Sequence, residues 1–515
     1  MRWTVQQVAD ALGVAAPAGV DAVAGVAGVS IDSRTVGAGE LFIAIHGARH
    51  DGHAYVAEAL GRGAVAAVVA RAHVVDYPEP IRKKLIAVDD TLAALQRLGW
   101  SARNEWRALG GGRRLAGVTG STGKTTTKEI LAALLGARCR VLKNEGNLNN
   151  EYGVPLTLLR LEEEHDAAVI ELGMSHRGEI AQLAKLCEPE VGVVTCVAPV
   201  HLEFFASLEE IAEAKRELIE NLAGAGKAGE ILRFAQDDKT KDAGLPEKIV
   251  GTQKPQKPGA TNAQVPVAVL NADDARVMRF ADGFRGRVLT FGFSASADFR
   301  AENIEDRGAE GSAFDLVALK ERARLELPLV GRHNVMNALA ALAAASVWGV
   351  SAKEARKVFA TLKPAAMRGE VLKFQDGFTV INDCYNSNPV ALASMLGLLA
   401  STSGYRRRIL AAGEMLELGA ESARLHREAG ALTASKGIDW IFGVQGMAEE
   451  IVRGAEAAGQ PSSRARFFSN AEEAAAFLRD FVECGDVVLV KGSRGVKMER
   501  IVEAISAKHA PARSH

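Results

Sequence analysis

The residues best suited to chemistry in this sequence lie in one short run, Thr119-Gly120-Ser121-Thr122-Gly123-Lys124-Thr125-Thr126. Glycines let the backbone wrap closely around phosphate oxygens, and amides at the start of a helix point toward an anion. Lys124 adds a mobile positive charge for the β- and γ-phosphates, and the Thr125 hydroxyl can ligate Mg2+. The spacing G-x-x-x-x-G-K-[ST] is not met, because Val118 stands five residues before Gly123; the loop has the shorter form G-x-x-G-K-T-T. A strand candidate, Leu115 to Thr119, precedes it and a helical stretch, Lys124 to Leu135, follows, which is the context that phosphate binding demands.

Acid and metal positions come next. Glu171 ends the apolar run Ala168-Val169-Ile170, and a carboxylate at the C-terminal end of a parallel strand lies at the phosphate crevice, where it can bind Mg2+. His201 follows a strand candidate, Val191 to Val197, and can face the same crevice. Taken singly, each is equally compatible with an ordinary loop residue; what favours chemistry is their placement after successive strands. Lys215, in Ala214-Lys215-Arg216, reads on its own as a solvated helix lysine.

The elements that position these residues alternate strand and helix, predicting a mostly parallel sheet covered by helices. At 515 residues the chain is too long for one core, and we expect an α/β protein of three domains. A small α/β domain occupies 1–112, with strands at Gly39 to Ile45 and Ala64 to Ala70 and a boundary at Gly110-Gly111-Gly112. A central phosphate-loop, parallel-sheet ATPase domain occupies 113–363. A Rossmann-like unit occupies 364–515, with strands at Phe378 to Asn382, Arg408 to Ala412, Trp440 to Val444 and Val487 to Val490. Residues 225–265, rich in Lys, Gln, Pro and Gly, have too few apolar anchors to offset the entropy of ordering, and read as a disordered surface insertion or a docking arm. The tail from Lys508 onward is expected to fray.

Composition narrows the function classes. With 62 basic and 63 acidic residues the formal net charge is −1, so no global bias toward nucleic acid or membrane arises. Five scattered cysteines form no C-x-x-C pair, which argues against a disulfide framework or structural zinc and fits a reducing compartment. The N-terminus lacks an apolar signal core, and the most apolar helical stretch, Asn337 to Val350, is too short to cross a bilayer. The expectation is a cytoplasmic protein with no membrane insertion.

Taken in order, a set of separated motifs resembles the ATP-dependent Mur ligase family over almost the whole chain, the insertion and tail excepted. They begin with Asp32-Ser33-Arg34, Gly39-Glu40-Leu41-Phe42 and Asp51-Gly52-His53, then the loop Gly120 to Thr126. Gly146-Asn147-Leu148-Asn149-Asn150, Glu171-Leu172-Gly173, His201-Leu202-Glu203 and Ala214-Lys215 follow. Asn271-Ala272-Asp273-Asp274, Gly331-Arg332-His333-Asn334 through Asn337, and Arg368-Gly369 continue the series. Asp383 to Pro389, Gly413 to Gly419, His426-Arg427 and Lys491-Gly492-Ser493-Arg494 close it. Within the family, Gly413 to Gly419 followed by Leu425-His426-Arg427 resembles the branch that adds D-alanyl-D-alanine. The D-Y-A-H-T-P and D-N-P-R motifs of the branch adding the third peptide residue are absent.

That resemblance implies an amide ligase joining UDP-MurNAc-tripeptide to D-alanyl-D-alanine through an acyl phosphate, with ATP and two Mg2+. It implies a catalytic set of Lys124, Glu171, His201 and Lys215, with metal held by Thr125, Glu171, His201 and Lys215, the last carbamylated by CO2. ATP contacts would come from Gly120, Ser121, Thr122, Gly123, Lys124, Thr125, Thr126, Asn271, His333, Asn334 and Asn337. Arg368, Asp383, Tyr385 and Asn386 would join them when the domains close. Ser33, Arg34, Asp51, His53, Asn149, Asn150, Ser493 and Arg494 would contact the peptide substrates. Arg216 departs from the Gly usual beside that lysine. A monomer with small-molecule partners and no nucleic acid is expected. A nucleotide-dependent switch and a phosphoryl-transfer kinase are the alternatives of other classes.

Overall fold

The computed structural model describes residues 3–47, 50–200, 202–224, 265–318 and 321–512. The expected insertion, but for Val265, lies outside the described residues, as does His201. The architecture is α/β with three sheet-centred units, as the alternating sequence pattern predicts.

The N-terminal unit carries a four-stranded parallel sheet of Val29–Ser30, Leu41–Ile43, Ala66–Ala70 and Leu85–Val88, in that order. The helix Thr91–Ala108 leaves this sheet, capped by Asp90, whose carboxylate accepts from Leu92 and Ala93 N–H. Such a cap satisfies donors that the first helical turn leaves unpaired.

At the centre is a nine-stranded sheet among the described residues. Its order is Glu321–Leu327, Ser312–Ala318, Phe299–Asp306, Arg287–Gly292, Val267–Asn271, Val191–Val194, Arg114–Thr119, Ala167–Glu171, Val141–Lys143. Seven strands pair in parallel, and the first two are added to them through two successive antiparallel pairings. Side-chain alternation divides the core: Ala116, Val118, Val169 and Val193 face the helices Lys124–Gly136 and Arg332–Ala345, while Leu115, Ala168, Ile170 and Val194 face Glu179–Cys187 and Leu208–Glu220. Both faces are therefore apolar, which is why these strands read as unbroken hydrophobic runs. Gly117 admits the helix that carries Lys215, for a Cβ there would lie 2.9 Å from Leu218 Cδ1.

The sequence reading differs from the structure at three places here. The strand expected to reach Val197 stops at Val194, because Thr195 to Ala198 turn aside to hold the phosphate loop. The buried helix expected from Asn337 begins at Arg332 and gives way to a 3-10 turn, Ser346–Trp348, before Gly349 in the left-handed region. The antiparallel edge was not anticipated. Its exposed face is a charge ladder, with Arg322 on Glu302 at 2.7 Å and Arg324 on Asp315 at 3.3 Å, so it lacks an apolar run.

A six-stranded sheet forms the third unit, ordered Glu370–Lys373, Thr379–Asp383, Asp486–Lys491, Arg407–Gly413, Trp440–Val444, Ala465–Phe468, with only the first strand antiparallel. The tail does not fray where expected. Residues 509–512 extend the edge of this sheet, with Gln375 N–H on Ala510 C=O at 3.0 Å and Ala512 N–H on Lys373 C=O at 2.7 Å. His509 pairs with Asp376 and Arg479 C=O.

Candidate active site

The loop 120–123 sits at the C-terminal edge of the central sheet, where strand Arg114–Thr119 lies between Val191–Val194 and Ala167–Glu171. Ligand crevices form at such positions. Gly120 and Gly123 have φ of +145° and +81°, and neither tolerates a side chain: a Cβ would lie 1.8 Å from Thr195 Oγ1 and 2.2 Å from Asn337 Oδ1 respectively. The segment after strand Val191–Val194 holds the loop from outside. Ser121 N–H donates to Cys196 C=O at 2.9 Å, and the Ser121 hydroxyl bridges Ala198 N–H and C=O at 2.8 and 3.0 Å. The Thr195 hydroxyl donates to Thr122 C=O at 2.5 Å.

Lys124 opens the following helix and folds its ammonium back onto Gly120 C=O at 2.8 Å. Burial pushes its pKa down, and Glu171 partly opposes that shift. The Thr125 hydroxyl donates to Glu171 Oε2 at 2.7 Å, and Asn149 Nδ2 donates to Glu171 Oε1 at 2.8 Å. Glu171 is 3% exposed, and among the described residues both oxygens meet only neutral donors. A buried carboxylate with no direct ion pair, beside a hydroxyl, is a pair of hard oxygen donors, a set that fits Mg2+.

The third unit closes the cleft, whose volume is about 690 Å3. Arg368 Nη2 donates to Thr125 Oγ1 at 2.9 Å while its guanidinium lies 3.9 Å over the Tyr385 ring. Asp383 pairs with Lys491 at 2.5 Å, and Lys491 also donates to Asn386 C=O at 2.9 Å. On the central side His333, Asn334 and Asn337 line the same cleft from the first turns of one helix. Burial lowers the His333 pKa, keeping the imidazole neutral.

Other expected positions fall elsewhere. Asn271 does not line the cleft; its amide donates to Thr195 C=O at 2.8 Å and accepts from Asp273 N–H at 3.0 Å, so it supports the segment behind the loop. Lys215 lies in the interior, 2% exposed, and not in the cleft wall. Arg216 points away from it, onto Asp282 C=O at 3.1 Å and Glu220 at 3.0 Å, so the departure from Gly does not touch the site. Asn149, Asn150, Ser493 and Arg494 line the cleft, although Asn149 contacts Glu171 and Asn150 accepts from Gly153 N–H at 3.0 Å.

Ser33, Arg34, Asp51 and His53 lie in the N-terminal unit, outside the cleft. Ser33 is buried beside Glu58, and Arg34 pairs with Asp32 at 2.7 Å. Both His53 ring nitrogens are engaged within the protein, Nδ1 with Asp51 at 2.6 Å and Nε2 with Ala70 N–H at 2.9 Å. The sequence reading missed Thr195 and Asn144. For Thr195 the only signal was a polar residue directly after an apolar strand; Asn144, after Lys143, had not even that.

Comparison with known proteins agrees with this geometry. Residues 118–248 and 257–345 match the Mur ligase middle domain, 367–494 the Mur ligase glutamate ligase domain, and 25–101 the model described as Mur ligase family, catalytic domain. UDP-N-acetylmuramoyl-tripeptide–D-alanyl-D-alanine ligase of Bacillus subtilis is 34% identical over 92% of each chain, and the Escherichia coli enzyme of that name is 33% identical over 93% of each. Among solved structures, MurF from Acinetobacter baumannii superposes with a TM-score of 0.80 at 26% identity, covering 99% of both chains. MurF from Thermotoga maritima in complex with ADP gives 0.73 at 26% identity, covering 93% of this chain and 97% of that one. With a phosphate loop, an acid beside its threonine and this extent of likeness, the chain belongs to the Mur ligase family.

Proposed function

We propose that this chain is an ATP-dependent ligase that joins the terminal carboxylate of UDP-MurNAc-tripeptide to the amine of D-alanyl-D-alanine in peptidoglycan precursor synthesis. The observation that carries the proposal is the junction at Thr125. One hydroxyl donates to Glu171 of the central sheet and accepts from Arg368 of the third unit, so both halves of the cleft converge where the outer phosphates of ATP would lie.

A carboxylate is a poor electrophile at neutral pH, and phosphorylation converts its oxygen into a leaving group. In the first step the tripeptide carboxylate attacks the γ-phosphorus, the bond to the β,γ-bridging oxygen breaks, and ADP leaves. In the second the amine attacks the acyl carbon, and phosphate departs from the tetrahedral intermediate as the amine loses its proton. Lys124, the loop amides and Arg368 supply fixed positive charge where negative charge builds during transfer. The closed cleft keeps water from the acyl phosphate.

Mg2+, when bound, would neutralise phosphate charge and bring substrate oxygens together. Thr125 and Glu171 would hold one ion; His201, outside the described residues, and a carbamylated Lys215 are the proposed support of a second. Tyr385, Asp383 and Asn386 fit the ADP end of the cleft, and Ser493 and Arg494 the peptide end. The N-terminal unit would take the uridine diphosphate end. All of these parts lie on one chain, which supports a monomer. Among the described residues no helix is long and apolar enough to cross a membrane.

The test is phosphate release with UDP-MurNAc-tripeptide, D-alanyl-D-alanine and ATP, omitting each in turn. All three should be required, and single amino acids should not replace the dipeptide. Phosphate release without a lengthened peptide would sink the proposal.

A further inference from the structure

Asn144 follows the edge strand Val141–Lys143 and is fully buried. That strand pairs in register with Ala167–Glu171 as far as Lys143 opposite Val169, after which the chain leaves the sheet. The Asn144 side chain continues the ladder in place of the backbone. Its Oδ1 accepts from Glu171 N–H at 2.9 Å, and its Nδ2 donates to Glu171 C=O at 3.0 Å. A carboxamide is the side chain that both donates and accepts in this manner.

Two further contacts tie Asn144 to the rest of the site. Nδ2 also donates to Leu148 C=O at 2.9 Å, next to Asn149, whose own amide holds Glu171 Oε1. The Asn144 carbonyl accepts from Lys128 Nζ at 2.6 Å, and Lys128 is a fully buried lysine one turn beyond Thr125 on the loop helix. The side-chain amide therefore joins the strand end bearing Glu171 to the turn bearing Asn149, and the backbone carbonyl of the same residue ties both to the helix bearing Thr125.

We propose that Asn144 is a positioning residue: it fixes the backbone of Glu171 so that the carboxylate and the Thr125 hydroxyl stay preset for the Mg2+-nucleotide. The inference rests on the reading of Thr125 and Glu171 as the metal-holding pair. Groups behind a metal ligand tune affinity through orientation, and losing one weakens binding by roughly 10- to 100-fold.

The experiment measures binding of a fluorescent, non-hydrolysable ATP analogue to the full chain, titrated with Mg2+ and separately in excess chelator. Asn144→Asp keeps the shape but cannot donate; Asn144→Ala removes all three side-chain bonds. Both should raise the Mg2+ midpoint roughly 10- to 100-fold and leave metal-free nucleotide affinity within about threefold. Leu161→Ala, a core truncation in the same unit, should lower Tm without moving the midpoint, which separates positioning from general destabilisation. Should Asn144→Ala fail to fold, Asn144→Asp alone decides. A folded Asn144 variant with the wild-type midpoint overturns the inference. If wild-type binding itself is indifferent to Mg2+, the reading of the Thr125–Glu171 pair fails, and the inference with it.

Discussion

Burial strips the Lys215 ammonium of water and the positive charge of Lys124 repels it, so its pKa is held down to about 7 from an ordinary 10.5. A neutral amine is the form that adds CO2, so the lowered pKa is consistent with the carbamate proposed for Lys215. The same shift has a consequence for stability. Between pH 7 and 10.5 the unfolded chain holds a proton that the folded chain lacks, so stability rises with pH across that window and is flat below it. Lys215→Met removes the depressed amine and should be more stable than the parent at pH 7 in CO2-free buffer, by at most about 5 kcal/mol. Urea unfolding should show that gap shrinking steadily toward pH 10; a gap independent of pH would refute the buried-amine account. Lys215→Ala should abolish turnover, with short carboxylates restoring part of it; full activity without them would remove the carbamate. The sequence offered no physical hint of this, because Lys215 lies on an amphipathic helix whose charge pattern resembles a solvated face. Lys124→Ala should likewise lose turnover entirely, and wild-type rates would refute the phosphate-loop assignment.

At the level of elements, the phosphate loop is shaped as much by its neighbours as by its own glycines. Thr195 fills the space a Gly120 side chain would need, and Cys196 and Ala198 hold Ser121. Gly120→Ala should therefore displace the loop rather than unfold the sheet: nucleotide binding should fall beyond detection in calorimetry, while Tm drops only a few degrees. Retention of wild-type affinity would mean the loop is held elsewhere. The loop itself was legible because strand, glycines, lysine and helix are contiguous, and so was Glu171, which ends an apolar run. The bracing segment was not, because Cys196 and Val197 continue an apolar pattern that periodicity alone assigns to the strand. The antiparallel edge was equally hidden: in Glu321–Leu327 three charged residues, Glu321, Arg322 and Arg324, precede the buried Leu325 and Leu327, so the strand offers only a short apolar alternation. Asn271 and His53 matched expected ligand motifs, and the structure shows them, like Thr125 and Glu171, bonded within the protein; motif matching does not reveal which partners a side chain takes.

Over the whole molecule the two junctions between units are built differently. Helix Thr91–Ala108 fastens the N-terminal unit: Arg103, 1% exposed, bonds Glu188 at 2.8 Å and Leu186 C=O at 3.2 Å, and Trp106 Nε1 bonds His165 C=O at 2.7 Å. Against this rigid pair the third unit makes sparser polar contacts, including Arg368 on Thr125, Ser401 on Asp306 at 3.0 Å and Glu203 N–H on Glu417 C=O at 3.3 Å. Only a few apolar residues, such as Leu202 and Val330, join its core from the central side. A junction of this kind permits relative motion, and closure then completes the reactive site. Arg368 is the group on which that completion turns. It reaches the Thr125 hydroxyl rather than the loop amides, and we predict that its charge matters more for phosphoryl transfer than for initial nucleotide uptake. Replacing it with Met keeps an unbranched stem of similar girth but removes the guanidinium, with its charge and its stacking on Tyr385. The expected result is a kcat at least about 100-fold lower, with affinity for a non-hydrolysable ATP analogue changed less than about fivefold. Rapid-quench and equilibrium binding measurements on Arg368→Met separate the two quantities. A loss confined to affinity would make Arg368 part of the nucleotide cradle, whereas an unchanged kcat would mean that the third unit contributes its chemistry through another residue.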